Sequence, residues 1–240
     1  MDRFLEGVGL GRYDRNARLR PALLVLLPAL LLVGIWFKEA WTLLGSFAAL
    51  VATCGLTFLL SRVARYKGRQ IQQAQVKQFG GLPSEIYLRH RDDRLPEPTK
   101  TKYHAILRRK KQKIPSPEEE VANPDRADQL YRGAIEWLLE KTRGAKFKML
   151  FDENIDYGFR RNLLALKIPA LVVLAAVLVM NAALIILNVR TWSTQAMAGL
   201  VLEAGLLGLG WLWIAVIKKS FVDDAADSYA RRLLAQLEII

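Results

Sequence analysis

The side chains able to carry out chemistry in this chain are few and widely spaced. Its two histidines, His90 and His104, lie fourteen residues apart, and Asp92 and Asp93 follow directly after the first. A nuclease or metal site would need these groups to converge, and their spacing gives no reason to expect that. We therefore interpret both histidines as solvated or hydrogen-bonded groups on a basic surface.

The sequence contains no recognised catalytic or cofactor motif. It has no P-loop, no paired-glycine dinucleotide turn and no Cys/His cluster at metal-binding spacing. The acidic triplet at 118–120 is explained by the start of a helix, where carboxylates are favoured, rather than by a divalent cation. The single cysteine, Cys54, lies in an apolar block and cannot form an intrachain disulfide. We expect a protein that is not an enzyme, with no catalytic residue, cofactor or metal ion.

Ten Lys and Arg residues between positions 89 and 113 form a candidate binding surface for an anion. They are Arg89, Arg91, Arg94, Lys100, Lys102, Arg108, Arg109, Lys110, Lys111 and Lys113. A nucleotide or nucleic acid would be attracted to these charges, with Tyr103 or His104 available to stack on a base. An acidic cytosolic protein is the other candidate partner, and lipid head groups suit the cations beside the apolar blocks better. A solvated charged face is a further alternative, and the sequence leaves all of these open.

Two polar residues stand out within the apolar part of the chain. Glu203 lies about two turns inside the last apolar block, and a carboxylate in a membrane is a candidate functional group. It can line a pore or carry a proton, or it can extend to the interface or pair with Arg190. Asn181 is expected to hydrogen-bond between helices, and Ala204 and Gly208 form a small-xxx-small motif for helix association.

These polar residues belong to four apolar blocks that are long enough to cross a membrane. The blocks cover residues 21–37, 40–60, 168–189 and about 194–217. The first is preceded by arginines but is followed by no small-residue cleavage site, so we interpret it as an uncleaved anchor. The lipid bilayer is therefore an expected partner.

The distribution of Lys and Arg predicts the orientation of these spans. Basic residues cluster before the first span, after the second, before the third and after the fourth, whereas the two short connections hold only Lys38 and Arg190. The positive-inside rule therefore predicts that both termini and the long middle segment face the cytoplasm. Trp36, Trp41 and Trp192 then mark the outer interface.

The middle segment has the composition of a small basic domain. Residues 62–167 carry 24 Lys and Arg against 14 Asp and Glu, within a chain of net charge +12. Helices are predicted over 61–79, from Thr99 to Lys111, from Ser116, and from Asn123 to Gly144, with a loop or short strands before Pro98. A juxtamembrane helix should lead into the third span. The tail repeats apolar residues every four positions, and we expect it to pack within the assembly.

The sequence thus predicts an all-α integral membrane protein with four transmembrane helices arranged as two hairpins and both termini inside. Its parts are a basic N-terminus (1–20), the first hairpin (21–60), a basic helical cytoplasmic domain (61–167), the second hairpin (168–217) and an amphipathic C-terminal helix (218–240). We expect a homo-oligomer of the inner membrane that receives an anionic ligand or protein partner and acts on the membrane as a pore-forming or membrane-disturbing effector, as in stress or anti-phage defence. The alternative is a non-conducting anchor or scaffold for a cytosolic complex.

Overall fold

A computed structural model describes residues 11–188 and 193–240, and every regular element in these two ranges is helical. A π-helical turn, Asp14–Leu19, leads into the first helix, and short 3-10 turns lie at Lys38–Trp41, Ala145–Phe147 and Gln236–Glu238. The helices are α1 (Arg20–Trp36), α2 (Leu43–Phe79), α3 (Pro83–Ile86), α4 (Glu97–Arg109), α5 (Pro117–Ala122), α6 (Pro124–Lys141), α7 (Lys148–Asn188), α8 (Thr194–Ala215) and α9 (Lys219–Ala235).

Four helical stretches are long and apolar enough to cross a membrane. They are Asp14–Trp36, Leu43–Ile86, Lys148–Asn188 and Thr194–Ala215. Each overlaps most of one of the apolar blocks seen in the sequence. The expectation of four helices able to span a membrane is therefore confirmed, and it is consistent with a multi-pass membrane protein. Because α2 has 37 residues and α7 has 41, both are longer than the roughly 20 residues that a membrane span needs.

The chain divides into two compact units. The first, here the span unit, contains the residues up to Gln70 together with Gly158–Val222. The second, here the helical unit, contains Ile71–Tyr157 and Asp223–Ile240. Because the three boundaries fall inside α2, α7 and α9, each of these helices supplies residues to both units.

The span unit has two apolar clusters, both built from residues of several helices. In one, Ala22 and Val25 of α1 pack with Leu166 of α7 and Trp213 of α8. In the other, Leu32 packs with residues of α7 and α8. The span unit also has a buried polar contact, in which the side-chain amide of Asn162 donates a hydrogen bond to the carbonyl oxygen of Ala17 at 2.6 Å.

The helical unit is built around one core to which α4, α6 and α9 all contribute. Leu107 of α4, Leu138 of α6 and Leu233 and Leu234 of α9 are completely buried in it. The tail, expected to pack within the assembly, therefore packs on this core within its own chain. Residues of α9 are separated from those of α6 by the third and fourth spans, so the core closes only when distant parts of the sequence meet.

Capping residues explain where several of these helices begin and end. The Ser116 hydroxyl accepts from the N–H of Glu119, whose carboxylate accepts from the N–H of Ser116, and Asn123 caps α6 in a similar way. Gly80 follows α2 with a φ of 74°, a conformation that glycine adopts without steric cost. The starts predicted at Ser116 and Asn123 are confirmed.

The prediction of Thr99 as a helix cap is wrong, and of the two alternatives for the segment before Pro98, a loop or short strands, the structure has no strand there. The cap of helix α4 lies three residues earlier, at Pro96, so the helix begins at Glu97 and has Pro98 in its first turn. Proline is accepted there because the first N–H groups of a helix have no intrahelical partner. The preceding segment contains the single turn α3 and irregular structure.

Candidate functional site

Four of the ten predicted basic-surface residues hold the loop between α3 and α4 in place. Arg89 is 7% exposed, and its side chain donates to the carbonyl oxygen of Gly80 at 2.6 Å and to the Asp128 carboxylate at 2.9 Å. Arg91 forms ion pairs with Glu120 at 2.9 Å and with Asp128 at 2.7 Å. These two arginines therefore fasten the loop to α5 and α6.

Glu120 is the buried centre of this arrangement. Its carboxylate accepts from the Tyr131 hydroxyl at 2.6 Å, from the backbone N–H groups of His90 and Arg91, and from the Arg91 side chain. Burial alone would raise the pKa of Glu120, but the hydrogen bonds from Tyr131, His90 and Arg91 outweigh it and hold the pKa below its usual range. The carboxylate is thus kept charged, and it has a structural role beyond the start of α5.

The next two basic residues are also engaged within the chain. Arg94 pairs with Asp92 at 2.8 Å and lies over the ring of Tyr87, 4.8 Å from its centroid. Lys100 is only 2% exposed; its ammonium group donates to the carbonyl oxygens of His90 and Asp92. Their charges are therefore largely used for positioning the loop.

The other six predicted cations lie nearer the solvent, on α4 and just after it. Lys102 pairs with Glu238 at 2.9 Å, Lys110 donates to the carbonyl oxygen of Ile240, and Arg108 donates to that of Pro115 at 3.2 Å. Arg109, Lys111 and Lys113 are exposed and have no ion pair within the described ranges. The accessible positive charge is thus concentrated at the C-terminal end of α4.

A groove of about 550 Å³ adjoins this end of α4. Arg108 and Lys113 line it together with Arg126 of α6, and Ile114 and Leu130 contribute apolar surface. The sequence analysis missed Arg126 and both apolar residues. Arg126 lies thirteen positions after Lys113, the last residue of the predicted basic surface. No local sequence pattern indicates that the two residues line one groove, because this depends on how α6 packs beside α4.

The two histidines do converge, which the spacing in the sequence did not indicate. Their ring centroids are 4.7 Å apart, and His104 Nε2 lies 2.7 Å from the carbonyl oxygen of Leu88. Burial lowers the pKa of His104 to about 4, so the ring is neutral at physiological pH. Among the described residues, no group of three His, Cys, Asp or Glu side chains is placed to hold a metal ion.

Within the span unit, Asn181 is the centre of a polar cluster that joins three helices. Its side-chain oxygen accepts from the indole N–H of Trp36 at 2.8 Å, and its amide donates to the Gly199 carbonyl oxygen at 2.9 Å and to Glu203 at 2.7 Å. A Cβ on Gly199 would lie 2.6 Å from the Trp36 ring, so only glycine permits this approach. The sequence analysis treated Trp36 as an interface marker and missed this contact.

Glu203 therefore has a polar partner in the same chain. Arg190, its proposed partner, and Trp192 lie outside the described residues. Ala204 and Gly208, one and five positions further on, are both exposed, and a Cβ added to Gly208 would meet nothing within 4 Å. No helix in the described part of this chain covers that small-residue face.

No protein-family model, curated protein or solved structure matches this chain. The inference of function therefore rests on the residues of the chain itself.

Proposed function

We propose that this chain is an inner-membrane protein that receives an anionic ligand or protein partner on its basic helical unit and transmits this event to its membrane spans. The observation that carries the proposal is the length of α2 and α7. Each helix contains a membrane-spanning segment and continues without interruption into residues of the helical unit. An unbroken helix provides a mechanical connection between a binding event and the bilayer.

The proposed orientation places the helical unit and both termini in the cytoplasm. Its support is the distribution of Lys and Arg, which cluster on one side of all four spans. The proposed binding surface is the C-terminal end of α4, where Arg109, Lys111 and Lys113 have no ion pair within residues 11–188 and 193–240. Attraction of an anion from the cytosol requires such uncompensated charge.

The proposed output is a pore or a membrane disturbance produced by a homo-oligomer, as in an effector of stress or anti-phage defence. Its support is the exposed small-residue face with Ala204 and Gly208, next to the intramembrane carboxylate of Glu203. Small residues let helices approach closely, and an assembled bundle would bring several copies of the carboxylate together.

A second function, a non-conducting anchor for a cytosolic complex, is favoured by a different observation. Glu203, Asn181 and Trp36 bond to one another within a single chain. A polar cluster that is satisfied in this way needs no water-filled pore to stabilise it. The helical unit would then be a docking platform only.

The experiment that tests the proposal measures the permeability of the host membrane to a small impermeant dye on induced expression. We expect the wild-type chain to admit the dye and a variant with Arg108, Arg109, Lys110 and Lys111 all changed to Gln to lose most of this effect. The matched control changes four other exposed cations, Lys67, Arg69, Lys77 and Arg143, to Gln and should retain it.

If both variants lose dye entry to the same extent, the end of α4 is not the binding surface. If the wild-type chain leaves the membrane intact while Glu203→Gln behaves identically, the anchor function replaces the effector function. Replacing the four spans by an unrelated membrane anchor should then preserve the biological activity.

A further inference from the structure

The side chains that line the groove beside the C-terminal end of α4 favour one class of anionic partner over the others. We propose that it binds an acidic amphipathic segment of a cytosolic protein, an inference that rests on the proposed function. Cations and apolar side chains both line this groove, and none of its lining residues is aromatic.

Three cations line the groove against one carboxylate. Arg108, Lys113 and Arg126 supply the positive charge, and the last two have no ion pair in the part of the chain that the structure describes. The carboxylate belongs to Glu119, which already accepts from the N–H of Ser116 at 2.8 Å. The excess charge therefore favours a ligand with several negative groups.

The floor of the groove is aliphatic. Ile114, Pro115, Ala127 and Leu130 line it, and Leu130 remains partly accessible. A purely charged ligand gains nothing from such a floor, whereas a helix with leucine or isoleucine on one face buries apolar surface there. Cations around an aliphatic floor thus match a segment that is acidic on one face and apolar on the other.

A nucleic acid fits the same groove poorly. None of the lining residues is aromatic, and the two rings that could have stacked on a base, Tyr103 and His104, are buried at 7% and 3% exposure. The two side-chain amides in the lining each already make one hydrogen bond within the chain, because Gln112 donates to the Lys110 carbonyl oxygen and Asn123 accepts from the N–H of Arg126. The groove therefore offers no aromatic ring for a base to stack on, and such rings are the usual platform of single-stranded nucleic-acid recognition.

The size of the groove agrees with a peptide anchor. Its volume of about 550 Å³ lies within the roughly 300–1,000 Å³ that is typical of ligand sites. A few side chains of a docked helix can fill that space while its acidic residues meet the rim. Lys113 and Arg126 line the groove from two different segments, so changing these two side chains tests the groove itself.

The test measures binding to the full-length protein in lipid nanodiscs by fluorescence anisotropy at physiological ionic strength. Three labelled probes are compared: a helical peptide of Leu and Glu with its leucines on one face, a scrambled peptide of identical composition, and a single-stranded oligonucleotide. We expect the amphipathic peptide to bind about tenfold more tightly than the scrambled one, because only the former presents a continuous apolar face.

Two double variants locate the site. Lys113→Glu with Arg126→Glu should weaken binding of the amphipathic peptide by about tenfold or more. The control, Lys77→Glu with Arg143→Glu, makes the same change of charge at two exposed cations outside the groove and outside the end of α4, and it should weaken binding by less than about threefold. All four side chains are exposed, so both variants should fold.

The remaining outcomes separate this inference from the proposed function. If both peptides bind equally, or if both double variants lose peptide binding equally, the protein attracts anions in general. Either result would overturn the groove assignment. Tight oligonucleotide binding that exceeds peptide binding would also overturn it, in favour of a nucleic-acid partner for the basic unit. If no probe binds, the groove assignment fails. The proposed function is judged separately by the dye assay, and it fails if the wild-type chain admits no dye or if dye entry is insensitive to neutralising the end of α4.

Discussion

At the scale of single residues, the carboxylate of Glu120 determines how the basic loop before α4 is held. We expect Glu120→Ala to lower the free energy of unfolding of the helical unit by about 3 kcal/mol, because it leaves the buried Tyr131 hydroxyl and the backbone N–H groups of His90 and Arg91 without their acceptor. Chemical denaturation followed by circular dichroism measures this change. Glu140→Ala, at an exposed carboxylate of α6, is the matched control and should change stability by less than about 0.5 kcal/mol.

His104 should make the stability of the helical unit depend on pH. Its pKa is about 4 in the folded protein and about 6.5 in an unfolded chain. The unfolded state therefore binds the proton first as pH falls, so this contribution is complete above pH 6.5 and is lost progressively towards pH 4. The loss is about 3 kcal/mol for the full shift.

Thermal unfolding between pH 4 and pH 7 measures this effect. His104→Gln, which can still donate to the carbonyl oxygen of Leu88, should flatten the dependence. His90→Gln leaves the buried ring in place and should keep most of it. A slope that is identical in the wild-type protein and in His104→Gln would exclude His104 as its source.

The roles of these residues could be predicted only in part from the sequence. The carboxylates at 118–120 did indicate a helix start, because capping depends on residues three positions apart. The contacts of Glu120 with His90 and Arg91 join residues about thirty positions apart, and no local pattern encodes them. The convergence of the two histidines escaped prediction for the same reason.

At the scale of helices, the close contact between α1 and α8 depends on one glycine. Gly199→Leu places a side chain where the Trp36 ring lies, since a Cβ alone would be 2.6 Å from that ring. We expect a loss of about 1–3 kcal/mol, measured as a fall in the thermal unfolding temperature in detergent. Gly205→Leu, on the same helix, meets nothing within 4 Å in the described chain and should change that temperature little.

Helix positions were the most predictable feature because their signals are local. The length of the apolar blocks predicted the four helices able to span a membrane, and the capping residues Ser116 and Asn123 predicted the starts of α5 and α6. The start of α4 was misplaced because Pro98 was interpreted as an interruption, whereas proline is well accepted in a first turn. The groove escaped prediction because it forms only where α4, α5 and α6 pack together.

At the scale of the whole molecule, the face with Ala204 and Gly208 is the proposed contact between copies. Ala204→Leu with Gly208→Leu should reduce the particle mass towards the 27.1 kDa of one chain, because bulky side chains prevent close approach of helices. Light scattering of the detergent-solubilised particle measures the mass. Gly55→Leu, at another open glycine in a different span, should leave the mass unchanged. Dissociation by Gly55→Leu instead would assign the contact to α2.

The proposed orientation is tested by labelling single cysteines in a Cys54→Ser background. Thr42→Cys, between the first two spans, should react with a membrane-impermeant maleimide in intact cells from which any outer barrier has been removed. Glu140→Cys, on the exposed surface of α6, should react only after the membrane is permeabilised. The opposite pattern would place the helical unit outside the cytoplasm.

The split of the helical unit along the sequence has a consequence for how the protein is made. Its core needs Leu233, Leu234 and Leu237, which follow the fourth span. A ribosome therefore synthesises all four spans before the residues that complete this core emerge. During that interval the apolar surfaces of α4 and α6 lack their cover, so the growing chain offers a binding site for chaperones and a target for quality-control proteases.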